Sequence, residues 1–88
     1  MENRKQEGIK EVTFEYGSYF FKLEKLLIDK GISINQLIRS TGTDYKVIKR
    51  LIDGNLTRLD IQVVGRLCDY LQCDISDIFH FEPIKKRK

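Results

Sequence analysis

The chain has little of what most chemistry requires. Two cysteines five residues apart, Cys68 and Cys73, and the single histidine, His80, do not make a zinc site. No nucleophile stands beside a candidate base, and no glycine-rich phosphate loop is present, so the residues call for no catalytic step, no metal and no cofactor. No apolar run approaches the roughly 20 residues that cross a bilayer, and the start, MENRKQEGIKE, lacks the apolar segment of a signal peptide. These absences predict a cytoplasmic protein without a membrane partner. Internal repeats and low-complexity tracts are also missing. At 88 residues the chain is one domain, too small for a cofactor-binding half plus a substrate half, and nothing in it suggests a second domain for a small-molecule effector. A net charge of +3 is too small to identify a partner, so the distribution of charge must decide.

What is there suits a folded chain, with 41% apolar and 33% charged residues. Residues 1–10 are polar. Val12, Phe14 and Tyr16 then alternate with Thr13 and Glu15, a short period-2 pattern that Gly17 ends. Ser18 can cap a helix over YFFKLEKLLIDK, stopped by Gly31. This helix carries more apolar surface than one packed stripe uses, and the preceding strand or a second subunit would cover Tyr19, Phe20 and Phe21. Ser33 to Gln36 reads as a capping box that starts a second helix, with Ile34, Leu37 and Ile38 inward. Thr41-Gly42-Thr43 supplies a turn before Asp44 caps a third. Asp60 can cap a fourth helix through Leu71, and Asp74 a short fifth, ISDIFH. Pro83 closes the fold ahead of a basic tail, and both cysteines read as small buried apolar residues. The expected fold class is all-α, a compact five-helix bundle with a helix-turn-helix, with a short N-terminal β-strand left open as an option. The expected division is an N-terminal extension over 1–17, the helical domain over 18–81 and the tail over 82–88.

The third helix is the informative one. If it runs from Asp44 to Gly54, then Lys46, Lys49, Arg50 and Asp53 share one face and Val47, Ile48, Leu51 and Ile52 the other. Three cations thus gather on a face that the core does not use. A solvated surface would also accept them, and Tyr45 could simply cover the turn.

The order of motifs resembles the Cro/C1-repressor type (XRE-like) helix-turn-helix DNA-binding domains. The resemblance runs from about Leu23 to Phe79 and rests on G-I-S-x-x-Q-L at Gly31 to Leu37, T-G-T at Thr41 to Thr43, V-I-x-R-L at Val47 to Leu51, Gly54, and L-C-D-Y-L-Q-C-D-I-S-D-I-F at the end. It implies that the third helix enters the major groove of double-stranded DNA. Base-reading roles then fall on Tyr45, Lys46, Lys49 and Arg50, because lysine and arginine donate to guanine O6 and N7 and a tyrosine ring can meet a thymine methyl. Asn55, Thr57 and Arg58, in the connector, would hold the DNA backbone. Many members carry a phosphate-binding glutamine where this chain has Ile34, and that work would pass to Ser33, Asn35 or the free N–H groups of the helix start. Where many members join helices 1 and 3 by an arginine and a glutamate, this chain has Leu27 and Ile52, an apolar pair expected to touch.

The resemblance further implies a transcriptional regulator, not an enzyme, acting as a homodimer on half-sites about one helical turn apart. The competing expectation is a protein-interaction module of the same fold, an antitoxin or a regulator-binding partner, without specific readout. An acidic third helix would have favoured that alternative, and the basic face favours DNA.

Overall fold

The computed structural model describes residues 7–84; the first polar residues and the basic tail from Lys85 to Lys88 lie outside them. In chain order the elements are β1 (Lys10–Phe14), β2 (Gly17–Phe21), α1 (Leu23–Lys30), α2 (Ile34–Thr41), α3 (Tyr45–Asp53), α4 (Ile61–Leu71), a single 3₁₀ turn (Ile75–Asp77) and β3 (Phe79–Pro83). The three strands form one antiparallel sheet in the order β1-β2-β3. The architecture is therefore four α-helices plus a three-stranded sheet, which corrects the expectation of an all-α five-helix bundle.

Two segments account for the difference. Tyr19, Phe20 and Phe21 do not begin the first helix but lie in β2, and α1 starts only at Leu23, after Lys22 and with no side-chain cap. Gly17 opens β2 instead of ending a strand, and a tight two-residue turn at Glu15 and Tyr16 joins the hairpin. Three consecutive aromatics hide the alternation: the register pairs Val12 with Tyr19 and Tyr19 with Phe81, which puts Phe20 on the opposite face, stacked on His80. At the other end, ISDIFH makes only one 3₁₀ turn, braced by the Asp74 N–H donating to Asp77 Oδ2 at 2.9 Å. Phe79 and His80 then turn extended and join the central strand. Pro83 sits at the end of the edge strand β3, where a missing N–H is tolerated.

The core lies among the helices. Leu23 and Leu27 of α1, Leu37 of α2, Ile48, Leu51 and Ile52 of α3, Val63, Leu67 and Leu71 of α4 and Ile78 form one buried cluster. Leu27 and Ile52, expected as an apolar substitute for an ion pair, both belong to it, with 3% and 6% of their surface exposed. Cys68 and Cys73 are half-buried at its edge rather than fully enclosed.

The sheet is tied to the helices at two places. The Lys22 N–H donates to the Ile78 carbonyl at 2.7 Å, so the end of β2 and the start of β3 are held together where they meet the core. The second place is Gly54, which ends α3 in the left-handed conformation at φ 73°. A Cβ there would lie 2.7 Å from Val12 Cγ2 and 2.8 Å from Phe21 Cδ1, so the sheet closes directly on the backbone of the α3 terminus.

Two substitutions test this packing. Leu27→Arg should cost more than about 3 kcal/mol by burying an unpaired cation, and adding Ile52→Glu should recover part of the loss in denaturant melts. Gly54→Ala should cost about 1–3 kcal/mol, since it adds both a strained backbone and a collision with Val12 and Phe21.

Candidate nucleic-acid interface

Helix α3 has nine residues, too few to be stable alone, and its position is set by what it buries. Ile48, Leu51 and Ile52 are enclosed by the core, while Tyr45, Lys46, Lys49 and Arg50 are exposed on the outer side. Val47 lies half-buried between the two faces. Asp44 occupies the N-cap position, but its side chain accepts no backbone N–H, so the expected cap is not made. Asp53 does have a local role: Lys49 Nζ lies 3.4 Å from its Oδ1, one turn away. Both groups are exposed, so the pair contributes little stability. It does tether Lys49, whereas Lys46 and Arg50 have no ion-pair partner among the described residues.

Beyond Gly54 the connector brings further polar groups to the same side. Arg50, Asn55, Thr57 and Arg58 line one concavity of about 540 Å³ beside the end of α3. Asp60 also borders it, with Oδ1 engaged by the Gln62 N–H at 2.9 Å as the cap of α4. Arg50 of α3 and Arg58 of the connector thus share one surface. Ser33 and Asn35 stand at the start of α2, both exposed. Ser33 Oγ accepts the Gln36 N–H at 3.0 Å, half of the expected capping box. The hydroxyl is committed to its own helix, yet the first N–H groups of α2 have no intrahelical partner and remain donors.

The angle between α2 and α3 is held by a network that sequence reasoning missed. Thr41 Oγ1 donates to the Leu37 carbonyl at 2.7 Å and lies 2.8 Å from Thr43 Oγ1, with both threonines buried. Because the Thr41 proton goes to Leu37, Thr43 must donate to Thr41. From α4, Arg66 Nε donates to the Thr41 carbonyl at 3.1 Å and pins the turn from the far side. The four-residue step from Leu37 to Thr41 was a signal that could have shown a hydroxyl turned back onto the helix; nothing signalled Arg66, 25 residues away.

Among the described residues no group of three or more His, Cys, Asp or Glu side chains could hold a metal ion, and no helix is long and apolar enough to cross a membrane. Burial and the neighbouring Cys68 raise the Cys73 thiol to about 11, which leaves it protonated at neutral pH.

Two helices meeting at a glycine turn, with the second turning a cationic face outward, define a helix-turn-helix DNA-binding domain. Residues 22–83 match the Cro/C1-type HTH DNA-binding domain, and the chain belongs to that family. No curated protein matches it. Among solved structures it is similar to the crystal structure of the transcriptional regulator VanUg, Form II, at 28% identity and a TM-score of 0.59, covering 96% of this chain and 100% of that one.

Two measurements follow. Thr41→Val should cost about 1–3 kcal/mol in denaturant melts, because it leaves the buried Thr43 hydroxyl without its acceptor and removes the side-chain bond to the Leu37 carbonyl. Alkylation of Cys73 should be slow at pH 8 and accelerate up to about pH 11, as the thiolate fraction grows.

Proposed function

We propose that this Cro/C1-type domain is a sequence-specific transcriptional regulator that works in the cytoplasm as a homodimer on double-stranded DNA. The observation that carries the proposal is the division of α3: three core residues on one side, and Lys46, Lys49 and Arg50 exposed on the other. In this reading α3 lies in the major groove with Tyr45, Lys46, Lys49 and Arg50 toward base edges. Arg50 is the strongest candidate for base reading, since it is exposed, has no ion-pair partner among the described residues and carries a forked donor that fits guanine O6 and N7. Lys49 would have to leave Asp53 to reach DNA, a small cost for an exposed pair. Asn55, Thr57, Arg58, Ser33 and Asn35 would hold the phosphates on either side and fix the register without reading sequence. A single module of this size buries too little surface for tight specific binding, which is the physical reason for two copies. The activity is binding alone, with no reaction and no effector.

Selection of bound sequences from random duplexes should enrich a palindrome with half-sites about one helical turn apart. No enrichment at low salt would favour a protein-interaction module instead. On the selected site, Arg50→Ala should cost about 1–3 kcal/mol and relax preference at one base pair. Arg58→Ala should weaken specific and scrambled duplexes alike and flatten the slope of log K against log salt by about one unit. Equal losses on both duplexes for Arg50→Ala would remove it from the base-reading set.

A further inference from the structure

The charge of the chain is divided unevenly between its fold and its end. Of the 16 lysines and arginines, four stand together at Lys85, Lys86, Arg87 and Lys88, and the 12 that precede them are outnumbered by 13 carboxylates. Without those four residues the net charge is −1, against +3 for the whole chain. A body of that sign gains nothing from long-range attraction to a polyanion, so Lys46, Arg50 and Arg58 would act by placement alone. The terminal cations reverse the sum.

The fold decides where that charge emerges. Strand β3 runs antiparallel to β2 and ends beside the hairpin turn, with Pro83 opposite Gly17. The Ile84 N–H donates to the Tyr16 carbonyl at 3.2 Å, which fixes the last described residue at the turn. Phe14 and Tyr16 line a groove of about 420 Å³ whose other wall includes Thr57 and Arg58. Those two connector residues also border the concavity that holds Arg50 and Asn55 at the end of α3. The basic residues thus leave the fold one groove away from the connector. The start of the chain is placed differently: the Gly8 carbonyl accepts the Lys25 N–H at 3.1 Å, so Gly8 is held on α1, at the far end of β1 from the turn.

We infer that Lys85, Lys86, Arg87 and Lys88 are a phosphate-binding arm that extends the DNA interface past Arg58 on the hairpin side. The inference rests on the DNA-binding reading above and adds four residues to its backbone contacts. Four residues span at most roughly 14 Å, and duplex DNA carries one negative charge per ~1.7 Å of axis, so several cations find phosphates within that reach. Contacts of this kind hold the backbone without reading bases. The arm also outweighs Glu15 at the turn and Glu82 beside Pro83, two carboxylates near the point of exit that repel phosphate.

The test is a full-length variant that carries Lys85→Gln, Lys86→Gln, Arg87→Gln and Lys88→Gln together, titrated against selected and scrambled duplexes at several salt concentrations. The four positions follow the last strand, so its melting temperature should match the parent's. Affinity for both duplexes should fall by the same factor, roughly tenfold or more at low salt, and the slope of log K against log salt should flatten by about three units. A slope within about one unit of the parent's overturns the inference and leaves the α3 reading standing. A loss confined to the selected duplex would make these residues base readers and also overturn it. In a Glu15→Gln, Glu82→Gln background the four substitutions should cost as much as in the parent; a loss that vanishes there means that the cations only mask those carboxylates, and the arm is rejected. A parent chain that binds neither duplex at low salt overturns the DNA-binding reading and this inference together.

Discussion

Everything at the candidate interface depends on the burial of one side of α3. A helix of nine residues has no stability of its own in water, so Ile48, Leu51 and Ile52 must supply it by entering the core. Once they do, the helical period leaves no freedom: Lys46, Lys49 and Arg50 turn outward because they lie on the opposite side of the same cylinder. The functional face is a consequence of the hydrophobic one.

That anchoring fixes the rotation of α3 about its axis but not its tilt, and the tilt comes from the helix ends. At the start, the buried Thr41–Thr43 pair and the Arg66 bond to the Thr41 carbonyl hold the turn in one geometry. At the finish, Gly54 lets the sheet approach so closely that Val12 and Phe21 pack against the last turn. Helix α3 is therefore clamped between a polar lock and an apolar stop. The hairpin thus helps to position the candidate interface, and its side chains share a groove with Thr57 and Arg58 of the connector.

The net charge says less than its placement. Asp44, Asp53 and Asp60 lie beside α3 and the connector, and Asp53 is paired with Lys49, while Lys46, Arg50 and Arg58 have no ion-pair partner among the described residues. Placement, not the sum, therefore decides what a polyanion meets at α3.

The helix-turn-helix was legible in the residues because its signals are local. Glycines sit where the chain must turn left-handed, serine or aspartate stands at three helix starts, and apolar residues recur at helical spacing through α2, α3 and α4. The outward residues of α3 followed from the same periodicity. The sheet was only partly legible. Val12 and Phe14 alternate as a strand should, but Tyr-Phe-Phe at 19–21 satisfies a helix as readily as a strand, and ISDIFH looks like a helix until Phe79 finds β2. Strand pairing between residues some 60 apart is a long-range contact that no local window contains, and the same holds for Arg66 reaching Thr41. Local hydrogen bonding and periodicity determined α2, α3 and α4 from the chain alone. Pairing between distant segments decided the sheet, the lock on the turn and the aromatic face, because those depend on which surfaces meet after the helices have formed.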